Sequence, residues 1–217
     1  MTQQDGNSVR TARTRRRILD ESLALFNARG EESVATADIA AAAGISPGNL
    51  HYHFRRKDDI VAALFAELEA RLAIEPAVGG SVARMLDDLW LYLHLMLEAI
   101  RDFRFFYRNL HGVAGRDRRL RERFNRIAGR KLAAIESLCA ALAARGAFRA
   151  SAEEIRALAR NVLLVATYWL DFQALRGGRD DAPDLGYGAY QVMSLVAPYL
   201  RGGARRHLQR LGAAYVQ

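Results

Sequence analysis

The stretch from Thr36 to Phe54, TADIAAAAGISPGNLHYHF, constrains the fold of this chain more than any other part. Thr36 to Ala43 reads as a short helix with Ile39 and Ala40 facing inward, and Gly44 forces a turn. Ser46 is a good N-cap, and Pro47 falls at the first helical position, where its missing N–H costs nothing. The helix begun there runs to about Phe54. Leu50 and Phe54, four residues apart, share one face and anchor it to a core. Two short helices joined by a glycine turn are the sequence form of a helix-turn-helix. Ahead of them, Ile18, Leu19, Leu23, Leu25 and Phe26 form a helical stripe between about Thr11 and Arg29, and Gly30 ends it.

The two histidines of His51-Tyr52-His53 invite a metal or catalytic reading, and geometry rejects both. Side chains two apart on a helix point to different faces, whereas chelation from one helix needs a spacing of three or four. No cysteine or carboxylate stands at a helpful offset, so neither a metal site nor a cofactor is expected. The chain also lacks a nucleophile elbow, a phosphate-cradling glycine loop and a paired-acid motif, so no catalytic residue is assigned and an enzyme is not expected. Surface recognition fits better. In a helix-turn-helix the second helix enters the major groove of DNA. Here Gly48 lets a backbone approach closely, Asn49, His51, Tyr52 and His53 supply hydrogen bonds and stacking surface, and Lys57 can bind phosphate.

The rest of the chain also reads as helix. A fourth helix starts near Lys57, with Asp58 and Asp59 in its first turn where the dipole favours acids, and ends near Ile74. Pro76 and Gly79-Gly80 break the composition. The expected organisation is a disordered tail over 1–9, a helix-turn-helix domain over 10–56, a connecting helix over 57–75 and a second domain over 76–217. Helical segments are expected at 81–112, 116–145, 151–176, 187–200 and 204–216. LWLYLHLML (89–97) alternates as a strand could, but its leucine content and flanking acids favour a buried helix. The fold class is therefore all-α.

Charge narrows the partners. The 217 residues carry a net charge of +8, almost all of the positive charge from arginine, which favours an anionic partner with nucleic acid first. The single Cys139 excludes an internal disulfide and suits a reducing cytoplasm. No apolar run reaches the length of a membrane span, and the N-terminal segment has no apolar core of a secretory signal. A cytoplasmic protein without a membrane partner is expected. Between 101 and 131, eleven basic residues face only Asp102, Asp117 and Glu122. That segment is open to three readings: a solvated face, steering toward DNA, or attraction of an anionic effector.

Three pieces, I-L-x-x-S-L-x-L-F-x-x-x-G (18–30), D-I-A-x-x-A-G-I-S (38–46) and G-N-L-x-Y-H-F-x-x-K (48–57), resemble in order and spacing the N-terminal domain of the TetR family of bacterial transcriptional regulators. The resemblance implies a three-helix DNA-binding module joined to a helical ligand-binding and dimerisation domain. It further implies a homodimer on a palindromic operator of double-stranded DNA, released by a small-molecule effector. Carried over by position, the DNA-contact residues are Thr36, Ser46, Gly48, Asn49, His51, Tyr52, His53 and Lys57. Arg13, Arg15, Arg16 and Arg17 are an arm that reaches phosphate or minor groove, or a solvated tail. The chain departs from the family at His51, where tyrosine is common, at Pro47, where lysine is frequent, and at Ala35, where a capping Ser or Thr is absent; Thr36 would cap instead.

Beyond residue 76 the resemblance yields no residues, and the physics supplies candidates. Trp90, His94, Phe105, Tyr107, Trp169 and Phe172 are aromatic or polar points on apolar helices, able to line a ligand pocket or simply to fill the core. The last two long apolar helices are those with which the family dimerises, which makes Leu163, Thr167, Met193, Val196 and Tyr199 interface candidates; an intrachain core is the other reading. The expected function is sequence-specific transcriptional regulation, most simply repression. Alternatives are an activator using the same motif, or a helical ligand-binding or scaffold protein with a vestigial DNA module.

Overall fold

A computed structural model of the chain describes residues 3–177 and 184–213, with side chains from Ser8 onward. Eleven α-helices and one 3₁₀ turn account for the described elements, and apart from a single bridge pairing Phe148 with Leu200 there is no β-structure among them. The chain divides into two compact units, one of Met1–Glu69 with Phe103–Asn109, the other of Ala70–Asp102 with Leu110–Gln217.

The first unit contains α1 (Gln3–Arg29), α2 (Thr36–Ala42), α3 (Pro47–His53), most of α4 (Lys57–Arg71) and the short α6 (Arg104–Arg108). Its core is built by Ile18, Phe26, Ile39, Leu50, Phe54, Ile60, Leu64 and Leu68, all buried. Gly30 and Gly44 end α1 and α2 at φ +80° and +61°, the left-handed region open to glycine at little cost. The expected disordered tail over 1–9 is corrected from Gln3 onward: α1 starts there, and residues 1–2 lie outside the described residues. Nothing in that segment breaks a helix except the tolerated Gly6, and the long helix that follows gives it a turn to propagate from.

The expected single helix over 81–112 is three: α5 (Val82–Asp102), α6 and α7 (Leu110–Arg116). Phe103 breaks the ladder at φ −113°, ψ 33°. The cause is tertiary. Phe105 packs on Phe26 with ring centroids 5.2 Å apart, and Phe106 meets Phe65 edge-on at 5.3 Å. The Phe105 N–H donates to Asn27 Oδ1 at 3.1 Å, and Arg108 donates to the Asn27 carbonyl at 3.1 Å. Two aromatics and a capping amide outweigh the few backbone bonds lost at the break.

The second unit comprises α5, α7, α8 (Arg118–Ala144), α9 (Ala152–Leu175), α10 (Leu185–Val196), a 3₁₀ turn over Ala197–Tyr199 and α11 (Gly202–Gly212). α9 packs against α8 and α10, and α5 lies against α10 and α11. Side-chain caps set the starts. Asp117 accepts the N–H groups of Arg119 and Leu120, Asp184 accepts that of Tyr187, and Ser151 with Glu154 forms a reciprocal capping box. One polar group is buried among the apolar helices: Lys131, 2% exposed, donates from Nζ to the Ile74 carbonyl at 2.7 Å and sits 4.8 Å from the centre of the Tyr92 ring. Burial pushes its pKa down to about 8, with Glu75 opposing the shift. No helix among the described residues is long and apolar enough to cross a membrane.

Candidate nucleic-acid interface

α3 is held from behind and left open in front. Ser46 caps it by accepting the Asn49 N–H at 3.2 Å, and Pro47 occupies the first turn. Leu50 and Phe54 are 3% and 5% exposed, whereas Tyr52 is 77% exposed. An exposed tyrosine between two buried anchors is an uncommon use of a large aromatic, and it marks a surface awaiting a partner. Gly48, Asn49 and His51 are exposed beside it, and His53 is half-buried with its ring edge-on to Tyr52 at 5.3 Å. Hydroxyl, amide and imidazole groups therefore stand together on the outer side of a seven-residue helix. They offer donors and acceptors, together with an aromatic face for stacking.

Several predicted residues are engaged within the chain. Lys57 Nζ lies 2.8 Å from the Glu31 carbonyl, 3.1 Å from that of Val34 and 3.0 Å from Glu31 Oε1. All three ammonium protons have acceptors, so Lys57 ties the start of α4 to the loop after α1. Ser46 likewise serves as a cap. Thr36 does not cap α2; Ala35 is the N-cap, and Asp38 accepts the Ala35 N–H at 2.9 Å, which leaves Thr36 exposed at the first turn.

The arginine arm is corrected too, because Arg13, Arg15, Arg16 and Arg17 lie inside α1. Arg15 stacks over the Phe54 ring at 4.1 Å and donates to the His53 carbonyl at 3.3 Å, bracing the end of α3. Arg16 pairs with Asp20 and, at 2.9 Å, with Glu67. These carboxylates hold its pKa above the ordinary arginine value. Sequence inspection missed the bracing role of Arg15, and the spacing of 38 residues to His53 carries no local signal that could reveal it.

The candidates in the second domain are dispersed. Phe105 and Tyr107 are buried in the first unit and leave the list of pocket residues for the packing reason given above. His94 bonds through Nδ1 to the Trp90 carbonyl at 2.9 Å and stacks on the Trp90 ring at 4.0 Å, a histidine satisfied by its own helix. Trp169 packs near Phe172 and Tyr187, and its indole lies so close to Gly188 that a Cβ there would meet it at 2.6 Å. Trp169 Nε1 and Gln173 Oε1, one turn apart on α9, are buried without a hydrogen-bond partner.

Met193 and Val196, expected at a dimer interface, are 2% and 5% exposed in the single chain and belong to its core. Tyr199 is half-buried and stacks on Phe148 at 5.5 Å. Leu163 and Thr167 instead line an open apolar hollow of about 230 Å³ between α8 and α9, together with Phe124, Ala128, Leu132 and Tyr168. No group of His, Cys, Asp and Glu able to hold a metal occurs among the described residues.

Comparison with known proteins agrees with the geometry. The family model described as bacterial regulatory proteins, tetR family, matches residues 18–64, and the TetR model described as bacterial transcriptional repressor matches residues 60–208. A curated relative, the HTH-type transcriptional regulator AcrR of Shigella flexneri, is 36% identical over 59 residues, and the match spans 27% of each protein. Of solved structures, a TetR-family transcriptional regulator from Marinobacter aquaeolei VT8 superposes with a TM-score of 0.79 at 36% identity, over 93% of this chain and 98% of that one. A regulator from Saccharomonospora viridis, described in complex with choline, shares the fold at a TM-score of 0.62 and 22% identity, over 88% of this chain and all of the other. A helix-turn-helix with an open α3, followed by a helical second unit matched nearly end to end, makes this chain a member of the TetR family of DNA-binding, non-enzymatic bacterial transcriptional regulators.

Proposed function

We propose that the protein is a cytoplasmic repressor that binds a palindromic operator as a homodimer and leaves it when a small molecule occupies the second unit. The observation that carries the reading is Tyr52, 77% exposed between two buried anchors, with Asn49 and His51 exposed beside it. Base-edge contacts belong to His51, Tyr52 and Asn49; Gly48, Thr36 and His53 flank them against phosphate. Ser46 and Lys57 act at one remove, by fixing α3 and the start of α4.

A second copy supports this use of α3, since a palindrome is read by two modules related by a two-fold axis. The free apolar side chains Leu164, Tyr168, Phe172 and Leu175 are 46% to 87% exposed and recur along α9 at helical spacing. The hollow beside them accepts side chains from the partner copy. An isologous contact through this stripe replaces the interface expected from Met193 and Val196. The effector site is assigned to the surroundings of Trp169 and Gln173. An unpartnered indole N–H and an unpartnered amide oxygen suit a ligand bearing one acceptor and one donor in an aromatic frame.

Footprinting of DNA adjoining the gene tests the reading. The expected result is protection of a two-fold-symmetric site, lost in a Leu164→Glu, Tyr168→Glu double variant that sediments as a monomer. Protection of an asymmetric site by a monomeric wild-type protein would overturn it.

A further inference from the structure

Beyond α3, we infer that α8 carries a second DNA-binding surface, a stripe of arginines that grips phosphates outside the bases read by α3. The inference rests on the DNA-binding reading of the first unit but on a separate set of residues. Arg119, Arg123, Arg126 and Arg130 stand at i, i+4, i+7 and i+11 on α8. At about 100° per residue they fall within an arc of roughly 60°, and at 1.5 Å per residue they extend over about 16 Å. The opposite side of the helix is core: Leu120, Ile127, Ala134, Ile135 and Leu138 are all buried.

The charge on this stripe is largely uncompensated. Arg119, Arg126 and Arg130 are exposed, and none has a carboxylate within ion-pair distance among the described residues. The acids close by in sequence are already engaged: Glu122 pairs with Arg118 at 2.7 Å, and Asp117 accepts the first N–H groups of the helix. The stripe also stops. One and two turns further on, the same face continues as Ala133, Ser137 and Ala140, all exposed. A general arginine bias of the composition would not confine itself to one half of one face.

The partner follows from this geometry. Side chains one turn apart on a convex helix diverge, so they do not converge on a single small anion. They match a row of anions instead, and duplex DNA offers one charge per ~3.4 Å of axis on each strand. Arginine suits phosphate through its planar fork of donors. A membrane surface is less suited, because the apolar side of α8 is committed to the core and leaves nothing to insert beside the charges. DNA bound through α3 also presents its neighbouring phosphates to the same molecule at high effective concentration.

The test uses the full chain with Arg119→Gln, Arg126→Gln and Arg130→Gln combined, and a second variant with lysine at the same three positions. Affinity for the footprinted duplex and for a scrambled duplex of equal length, both carrying long flanks, is measured across a range of KCl concentrations. Each lost phosphate contact lowers the log–log salt slope by about 0.9. The glutamine variant is therefore expected to show a slope shallower by about 2 to 3 on both duplexes, with the ratio between them unchanged, and the lysine variant a slope close to wild type. An unchanged slope in the glutamine variant would overturn the inference. So would binding to vesicles containing phosphatidylserine that is lost in the variant while the DNA slope stays the same. Tyr52→Ala, run in parallel, reports on α3 through the ratio between duplexes, so failure of the stripe and failure of the α3 reading give different results.

Discussion

α3 and α9 both expose large side chains, and they do so for opposite reasons. On α3 the exposed residues are polar or amphipathic, and the apolar ones, Leu50 and Phe54, are buried. On α9 the exposed residues are Leu164, Tyr168, Phe172 and Leu175, while Val162, Ala166 and Leu170 already fill the core on the other side. The first helix has one apolar face and a polar reader; the second is apolar nearly all round. A helix that is apolar on two sides has two buried destinations, and a single chain supplies only one of them. The contrast separates a surface that reads a wet, charged partner from one that meets another protein.

The largest effect that would break this contrast is on the anchors. Phe54→Ala removes a buried ring that also carries Arg15, and is expected to cost about 3–5 kcal/mol in the first unit, seen as a lower denaturation midpoint. Phe172→Ala, at a half-exposed ring, is expected to cost well under that in the isolated chain and to act on self-association instead. Equal losses of stability from the two would erase the distinction.

A smaller effect comes from Lys131. Its folded pKa, about 8, lies below the ordinary lysine value of 10.5, so the unfolded chain binds the extra proton between those two values. The penalty is present in full below about pH 8 and is relieved as pH rises toward 10.5, a gain on the order of 1–3 kcal/mol. Lys131→Met should be more stable than wild type at pH 7, with the gap narrowing at pH 10 in paired chemical-denaturation curves. A gap that is constant with pH would contradict the buried-charge account.

The smallest expected effect is on the α3 cap. Ser46→Ala loses the bond to the Asn49 N–H and should cost about 1 kcal/mol, with a proportionate fall in DNA affinity that Ser46→Asn restores. A direct phosphate contact from Ser46 would show instead as a loss that tracks salt rather than stability.

Local signals account for what could be read in advance. Ser46-Pro47 sets the start of α3, and Leu50 with Phe54 sets its inner face, so its open side follows within a few residues. The break at Phe103 had no such signal: neither glycine nor proline stands there, and the helix is interrupted because Phe105 and Phe106 are drawn to Phe26 and Phe65, far away in sequence. Lys57 looked available for phosphate because its acceptors, Glu31 and Val34, lie more than twenty residues back. Met193 and Leu164 are both apolar positions on helices, and only packing shows that the first is core and the second open. Periodicity identifies an apolar face but does not say which partner covers it.

The central claim is that the open side of α3 reads base sequence, and competition binding tests it most directly. Wild-type protein and Tyr52→Ala are titrated against the footprinted operator and a scrambled duplex at fixed salt. The account predicts that wild type prefers the operator by about 10³-fold or more, and that Tyr52→Ala loses at least tenfold of that preference while its affinity for the scrambled duplex is little changed. An unchanged preference in Tyr52→Ala, or no preference in wild type, would contradict it.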